Sequence, residues 1–293
     1  MKKRKPQAGS SALNANASAN PTANAHAERF TIWKWNRDAR PRRCADLLAR
    51  EEPLEIRVRG QSVAVTMRTP GHDAELAAGF LVAEGVVKKR SDVVEIAPCG
   101  QATEPDNTWN VYVAAGLELD LDALTRHVFA SSSCGLCGKA SIESVHLHFP
   151  PIDETLTVPV ETVLSLPGQL RQAQEAFERT GGLHAAGLFS AAGERVVVRE
   201  DVGRHNAVDK VIGHAFLSGS FPCPRSILMV SGRASFEIMQ KALAARIPLV
   251  AAVSAPSSLA VEFARESGQT LIGFLREGAM NIYAHPSRIL FPR

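Results

Sequence analysis

Two cysteines three residues apart carry the most reactive chemistry in this sequence. Cys134 and Cys137 lie in the segment SSSCGLCGKAS, which spans residues 131–141 and places a glycine after each cysteine. Such a pair can bind zinc, form a redox-active dithiol, pack as two small apolar side chains, or carry sulfur as a persulfide. The other residues of the chain are needed to choose among these four interpretations.

Zinc is the first interpretation to test, because a structural zinc site needs four ligands and the cysteine pair supplies only two. His146 and His148 are the nearby candidates, and their distance from Cys137 is shorter than the usual zinc-finger spacing. A zinc deaminase combines H-x-E with P-C-x-x-C. The only H-x-E here is His26–Glu28, and LHAAG has Ala186 where the glutamate would be required. The sequence therefore favours no metal site.

Sulfur transfer requires an accessible thiolate with a second thiol within reach. A low-pKa thiolate accepts sulfur as a persulfide, and a neighbouring thiolate can then form the disulfide and expel the sulfur as sulfide. The surrounding serines and glycines predict an exposed, mobile loop, and KASIESVHL is compatible with a helix whose N-terminus would lower a thiol pKa. These residues permit the chemistry without selecting it, so the dithiol, persulfide and buried-thiol interpretations remain open.

Three turns that contain glycine and arginine indicate a ligand that carries phosphate. They lie in REDVGRHNAVDK, SGRASFE and LIGFLREGAMNIY, each after an apolar strand pattern. Backbone N–H groups at a helix start and a nearby arginine form a natural anion site, and a glycine permits a left-handed turn or a close approach to a ligand. The residues assigned to this site are Gly203, Arg204, His205, Arg233, Arg276 and Gly278. The competing interpretation is that Asp201 caps a helix and Arg204 is a surface charge.

The elements that must position these residues fall into two parts of the chain. A β-β-α-β-β pattern comes first, and after about residue 160 helices alternate with strands such as SILMVSG, whose continuous apolar run predicts a sheet covered on both faces. We therefore predict an α/β chain, α+β overall. Its predicted parts are a disordered tail at residues 1–28, a small α+β domain at 29–130, a cysteine loop and connection at 131–155, and a ligand-binding domain at 156–293.

The composition is that of a soluble globular protein, with 45% hydrophobic and 22% charged residues. The net charge is +3, partly from MKKRK at the start, and no basic run follows, so we predict no nucleic-acid partner. No apolar run is long enough to cross a bilayer, so we predict no membrane partner. The five scattered cysteines do not suggest a secreted disulfide framework, and we predict a cytoplasmic protein.

Six segments together resemble a known family. They are SSCGLCGKASIE, TGGLHAAGLF, REDVGRHNAVDKVIG, SGRASFEIMQKA, AVSAPSSLAVEFA and LIGFLREGAMNIYAHPSRI. From about residue 30 onwards the chain resembles the formate dehydrogenase accessory sulfurtransferase (FdhD) family. The resemblance implies that the C-terminal half is a three-layer domain similar to the cytidine deaminase fold without its zinc site, preceded by the small β-β-α-β-β domain.

The resemblance also implies a task. Family members carry sulfur from a cysteine desulfurase to the molybdenum bis(molybdopterin guanine dinucleotide) cofactor, which then enters the formate dehydrogenase catalytic subunit, and they form homodimers. By this resemblance Cys134 carries the persulfide and Cys137 is the resolving or relaying thiol. The family's cofactor-binding segment maps onto Phe274, Leu275, Arg276, Glu277, Gly278 and Ala279. The alternatives are a non-catalytic cofactor chaperone or scaffold and a zinc-stabilised interaction module.

Overall fold

The computed structural model describes residues 26–119, 121, 146, 148–153 and 155–292. Cys134 and Cys137 lie outside these residues, as do the first 25 residues of the predicted tail and the predicted helix after the cysteines up to residue 145. The described residues form an N-terminal hairpin, a small α/β unit and a large α/β unit.

The hairpin was not predicted from the sequence. Strand β1 (Ala27–Lys34) pairs antiparallel with β2 (Arg42–Ala49). It begins at Ala27, one residue before the predicted end of the tail at residue 28. The hairpin gives a weak sequence signal because most of its side chains are exposed, and the strands therefore lack a buried apolar face. Trp33 and Trp35 are 70% and 65% exposed.

The small unit has the β-β-α-β-β order predicted from the sequence. Its elements are β3 (Glu52–Val58), β4 (Gln61–Arg68), α1 (Asp73–Ala83), β5 (Val93–Pro98) and β6 (Thr108–Val113). The strands form one sheet in the order β4-β3-β6-β5, in which β3 and β6 run parallel. Leu54 and Ile56 from β3 and Leu76 and Leu81 from α1 belong to one buried cluster, so α1 covers one face of this sheet.

The large unit is built on a six-stranded sheet with the order β13-β12-β11-β10-β8-β9. Its elements in chain order are β7 (Val158–Pro159), α2 (Val160–Gln172), α3 (Glu175–Thr180), β8 (His184–Ser190), β9 (Arg195–Asp201), α4 (Arg204–Leu217), β10 (Ser226–Val230), α5 (Phe236–Ala244), β11 (Leu249–Ala252), α6 (Ser258–Glu266), β12 (Thr270–Arg276), β13 (Ala279–Ala284) and β14 (Ile289–Leu290). Strands β10, β11 and β12 are parallel, whereas β8, β9 and β13 pair antiparallel with their neighbours.

Helices cover both faces of this sheet, as its continuously apolar strands predict. On one face, Leu166 and Leu170 of α2 pack with Phe189 and Met229 of the sheet. On the other face, α4, α5 and α6 pack in a second and larger buried cluster, to which α1 of the small unit also belongs. The large unit therefore has three layers, helix on sheet on helix. No helix among the residues that the structure describes is long and apolar enough to cross a membrane.

The helical pattern of ETVLSLPGQLRQAQEAFERTGG, residues 161–182, predicts a single helix that ends on a glycine pair, and this prediction is wrong because the structure has two helices, α2 and α3. The chain breaks between α2 and α3, and α3 begins where the carboxylate of Glu200 accepts hydrogen bonds from the backbone N–H groups of Ala176 at 2.9 Å and Phe177 at 2.7 Å. A carboxylate that binds free N–H groups stabilises a helix start. Glu200 lies on β9, so the signal for this break comes from a distant part of the chain.

Helices α1 and α4 join the two units at a pair of glycines. A Cβ atom added to Gly79 would lie 1.8 Å from the carbonyl oxygen of Asp209, and one added to Gly213 would lie 1.8 Å from the carbonyl oxygen of Glu75. No side chain fits at either position, so the two helix backbones are in direct contact.

An ion pair beside these glycines reinforces the junction. Arg199 of β9 donates from Nε and Nη2 to the carboxylate of Glu75 at 2.6 and 2.7 Å, and the Nδ1 of His214 lies 3.0 Å from the same carboxylate. Burial alone would raise the pKa of Glu75, but the hydrogen bonds from Arg199 and His214 dominate and lower it from 4.5 to about 2. The ionised carboxylate is therefore held by the folded protein.

This ion pair predicts a loss of stability in acid. Because the folded protein lowers the pKa of Glu75, its contribution is present above pH 4.5 and lost as the pH falls towards about 2. The lowered pKa corresponds to about 3 kcal/mol of unfolding free energy. We expect Glu75→Gln to remove that part of the pH dependence in urea titrations, whereas the exposed Glu262→Gln keeps it. Equal acid dependence in both variants would contradict this assignment.

Candidate functional site

The predicted ligand-binding turns converge at one edge of the six-stranded sheet. The strand directions place the C-terminal ends of β9, β10, β11 and β12 at this edge, together with the first residue of β8. Gly203 and Arg204 follow β9, Arg233 follows β10, and Arg276 ends β12. Ligands of open α/β sheets bind at such carboxyl ends.

A cavity of about 1110 Å³ opens at this edge, between the sheet and helices α2 and α3. Four of the residues in the predicted cofactor segment line it, and they are Leu275, Arg276, Glu277 and Gly278. The opposite wall comes from Gly168 and Arg171 of α2, Phe177 of α3, and the Gly181–Gly182 turn. The cavity is as large as a typical site for an extended small molecule.

Two backbone carbonyl groups hold the guanidinium of Arg276 in the wall of this cavity. The Nη1 of Arg276 donates to the carbonyl oxygens of Leu275, at 2.9 Å, and of Val253. Gly278, which could permit either a left-handed turn or a close approach to a ligand, is not left-handed, whereas the non-glycine residue Phe274 is, with a φ of 52°. Phe274 is held there by a 3.1 Å hydrogen bond from its N–H group to the carbonyl of Ser254. Non-glycine residues in this region are strained and concentrate at functional sites.

Sequence reasoning missed Arg171 and Phe177. The guanidinium of Arg171 lies 4.8 Å from the centre of the Phe177 ring and pairs with Glu178. In one continuous helix, side chains six residues apart would point in different directions, so the predicted single helix concealed this contact. The break between α2 and α3 brings the two side chains together as a flat surface in the cavity wall. Planar ligands stack on such surfaces.

The string DVGRHNAVDK is largely structural. Asp201 is fully buried, and its carboxylate accepts hydrogen bonds from the N–H of Gly203 at 2.8 Å and from Asn206 Nδ2 at 2.9 Å. It also pairs with the Nζ of Lys210 at 2.7 Å and accepts from the N–H of Thr69 in the small unit at 3.1 Å. Asp201 thus does not cap α4 with its side chain, and the network attaches the small unit to the sheet.

A second buried pair supports the same helix. The Nζ of Lys241 on α5 donates to both carboxylate oxygens of Asp209 on α4, at 2.8 and 2.9 Å. Neither residue was singled out from the sequence, because buried pairing joins positions 32 residues apart. Breaking such a pair leaves an uncompensated buried charge.

Gly203, Arg204, His205 and Arg233 lie beside the cavity rather than in its wall. The Nε2 of His205 is 3.2 Å from Ser235 Oγ, at the start of α5. Burial, with Lys241 and Arg204 nearby, lowers the pKa of His205 to about 4. The Nε of Arg204 is buried and has no hydrogen-bond partner among the described residues. The residues predicted to form one site therefore fall into two groups. The cavity group is Leu275–Gly278 in the cavity wall, and the helix-start group is Gly203, Arg204, His205 and Arg233 near the starts of α4 and α5.

His184 connects these two groups. It is the first residue of β8, lines the cavity, and places its Nδ1 3.3 Å from where a Cβ atom on Gly232 would lie. Arg204 and Arg233 are close enough to lower its pKa, after burial, which is the larger cause. In the sequence, the LHAAG segment that contains His184 indicates only that the glutamate of a zinc deaminase is missing. The functional signal was a histidine at a strand start, which the sequence alone does not distinguish from a core histidine.

The described residues contain no cluster of three His, Cys, Asp or Glu side chains that could hold a metal ion. His146, a candidate zinc ligand with Cys134 and Cys137, stacks on the ring of Phe263 at 5.4 Å. Among the cysteines that the structure describes, burial raises the pKa of Cys223 to about 12, so its thiol does not ionise. The remaining two, Cys44 and Cys99, are half-buried single thiols.

Comparisons with known proteins agree with this fold. The model of the FdhD/NarQ family matches residues 49–290. The sulfur carrier protein FdhD of Streptomyces avermitilis is 56% identical over 251 residues, which cover 83% of this chain and 89% of that protein. The sulfur carrier protein FdhD of Mycobacterium tuberculosis is 53% identical over 253 residues, which cover 83% and 92%.

A solved structure has a similar fold at a lower sequence identity. The crystal structure of a putative formate dehydrogenase accessory protein from Desulfotalea psychrophila superposes with a TM-score of 0.72 and 26% identity. The match covers 90% of this chain and 100% of that one. The predicted mixed α/β fold class is confirmed.

Proposed function

The chain belongs to the FdhD/NarQ family, and on that premise we propose that it is a sulfurtransferase that carries sulfur for formate dehydrogenase. It accepts persulfide sulfur from a cysteine desulfurase on Cys134 and delivers it to the molybdenum bis(molybdopterin guanine dinucleotide) cofactor. The cofactor is bound as cargo before it enters the formate dehydrogenase catalytic subunit. The observation that carries this proposal is the large cavity lined by Leu275–Gly278, because sequence resemblance independently assigns that segment to the cofactor.

The chemistry of the cavity wall suits a nucleotide-bearing cargo. Arg171 and Phe177 offer a flat surface on which a guanine base can stack, and cationic groups at such surfaces strengthen the contact. Arg276 supplies a fixed guanidinium for a phosphate, since its hydrogen bonds to the backbone already define its position. Glu277, also in the wall, has carboxylate oxygens that accept hydrogen bonds, which a guanine edge can donate.

The sulfur step needs only the two thiols and a persulfide donor. The Cys134 thiolate attacks the outer sulfur of the desulfurase persulfide, takes that sulfur, and releases the desulfurase thiolate. The Cys137 thiolate then attacks the Cys134 sulfur, so that a disulfide forms and hydrosulfide leaves. Sulfur atoms and electrons balance, because the thiol pair supplies the two electrons that reduce the carried sulfur. The Cys134–Cys137 disulfide must then be reduced to two thiols by a thiol reductant, which a cytoplasmic location would supply.

Binding of GDP tests the cargo site without any sulfur chemistry. We expect Arg276→Ala to weaken GDP binding about 10- to 100-fold in calorimetry, the value of one charge-assisted hydrogen bond to phosphate. Arg225→Ala is the matched control, because Arg225 is exposed and precedes β10 at the opposite edge of the sheet. An unchanged affinity in Arg276→Ala would remove this arginine from the site.

The second candidate function is a non-catalytic chaperone that shelters the molybdenum cofactor. The cavity favours it, because binding and sheltering a cargo need a suitable cavity wall and no sulfur chemistry. The same family resemblance implies a homodimer, which we carry as part of both proposals. Sulfur loading on Cys134 separates the carrier from the chaperone.

A further inference from the structure

His184 occupies a fixed position between the cavity and the helix starts. The backbone N–H of Ala185 donates to Ser231 Oγ at 2.8 Å, and the N–H of Ser231 donates to the carbonyl of Ala185 at 2.9 Å. These two hydrogen bonds lock the start of β8 to the end of β10. The imidazole of His184 therefore faces the cavity from a rigid strand rather than from a loop.

The ring of His184 has unused hydrogen-bonding capacity. The residue is half-buried, yet neither ring nitrogen forms a hydrogen bond or an ion pair with any residue that the structure describes. Buried polar groups are nearly always satisfied by protein, water or ligand. A half-buried imidazole in the wall of a large cavity is therefore placed to contact the proposed cargo.

The charges around His184 keep its imidazole neutral. Burial is the largest cause of its lowered pKa, and Arg204 and Arg233 lower it further, against the opposing charge of Asp201. Glu277 and Arg276 face the same cavity. A neutral imidazole at pH 7 can both accept and donate a proton, whereas the arginines around it remain charged. Among the cavity-lining residues, His184 is the one suited to proton exchange at neutral pH.

We propose that His184 is a catalytic residue that carries the proton in the delivery step, an inference that rests on the proposed sulfur-carrier function. Hydrosulfide released by the thiol pair approaches the metal of the bound cargo. His184 takes the proton of the hydrosulfide as its sulfur bonds to the metal, and gives it to the oxygen ligand that sulfur displaces. That oxygen leaves as hydroxide. One metal–oxygen bond breaks, one metal–sulfur bond forms, and no electrons are transferred.

Chemical rescue tests this proposal. Purified wild-type protein, His184→Ala and His184→Gln are loaded with sulfur and given the molybdenum cofactor, and the cyanide-releasable sulfur in the recovered cofactor is measured over time. We expect delivery in both variants to be about 100-fold slower, the typical contribution of a general acid–base group. Added imidazole should restore delivery in His184→Ala, where it can occupy the vacated space, but not in His184→Gln.

The controls separate proton transfer from binding and folding. Persulfide loading on Cys134 should be unchanged in both variants, because loading uses no residue of the cavity. Delivery is compared at saturating cofactor concentrations, so that weaker binding cannot slow it, and the urea midpoint of each variant shows that it is folded. His148→Ala, at an exposed histidine outside the cavity wall, should deliver at the wild-type rate. Wild-type delivery in His184→Ala would overturn the proposal, as would slow delivery that imidazole does not restore. A wild-type protein that takes up no sulfur would instead overturn the proposed function.

Discussion

Cys134→Ala is expected to abolish sulfur loading while leaving GDP binding and folding intact. Wild-type protein incubated with a cysteine desulfurase and cysteine should gain one sulfur in intact-mass measurement, and Cys134→Ala should gain none. The physical reason is that only a thiolate can attack the persulfide of the donor, and loading needs no other group of the chain. Cys137→Ala should still load, but it should fail to release hydrosulfide because no second thiolate can form the disulfide.

The other cysteines provide matched controls for this experiment. Cys44→Ala and Cys99→Ala remove half-buried single thiols and should load as the wild type does. Cys223 is excluded as a carrier by its pKa of about 12, which leaves a negligible thiolate fraction at neutral pH. No gain on the wild type, or an equal gain on wild type and Cys134→Ala, would contradict the carrier and favour the cofactor chaperone. Loss of folding in Cys134→Ala would indicate a structural role for the thiol.

Gly213→Ala is expected to destabilise the whole described fold by about 3 kcal/mol or more, the upper range for inserting atoms into a packed interior. The added Cβ would lie 1.8 Å from the carbonyl oxygen of Glu75 and 2.9 Å from the backbone nitrogen of Gly79. Backbone atoms cannot rotate away as a side chain can, so α1 and α4 must separate. That separation also pulls on Glu75, whose carboxylate pairs with Arg199.

Urea unfolding measures the change in unfolding free energy. Whether that change is a loss or a gain is informative, because helix propensity alone would make alanine the more stable residue. In an exposed helix, replacing glycine with alanine stabilises by about 1 kcal/mol, so destabilisation at this position reports the clash alone. Gly100→Ala is the matched control, since a Cβ there would meet no atom within 4 Å. Its unfolding free energy should change by less than about 1 kcal/mol. Equal stabilities for the two variants would show that the helix contact is looser than described.

The junction between the two units lies next to the start of α4, beside the proposed cargo site. Asp201 ties Thr69 of the small unit to Gly203 and Lys210, and Gly203 begins the helix that presents Arg204 and His205 beside the cavity. Loosening α1 against α4 therefore disturbs the start of α4 first, whereas Arg276 is held by the carbonyl groups of Val253, just after β11, and Leu275, in β12. The small unit therefore supports the start of α4 through the hydrogen bond from Thr69 to Asp201.

Much of the fold could be predicted from the sequence, because the spacing of apolar residues in several elements matches the faces that those elements bury. The alternation around residues 54–68 predicts β3 and β4, and the apolar run SILMVSG predicts a sheet strand covered on both faces. The Val208, Val211 and Ile212 stripe predicts a helix with one buried face, and these side chains are fully buried in α4. The period at which apolar residues repeat indicates which side of an element is buried, because that side faces the core.

The sequence by itself determined the order of elements, the cysteine pair that we assign to sulfur chemistry, and the segment Phe274–Ala279 that we assign to the cargo. Only the tertiary structure separated Arg276 from Arg204 and Arg233, joined Arg171 to Phe177, and placed His184 between the two groups. The physical reason is that each of these relations joins residues on different strands and helices. Sequence patterns report the environment of one element at a time, whereas a site depends on which elements the packed sheet brings to one edge.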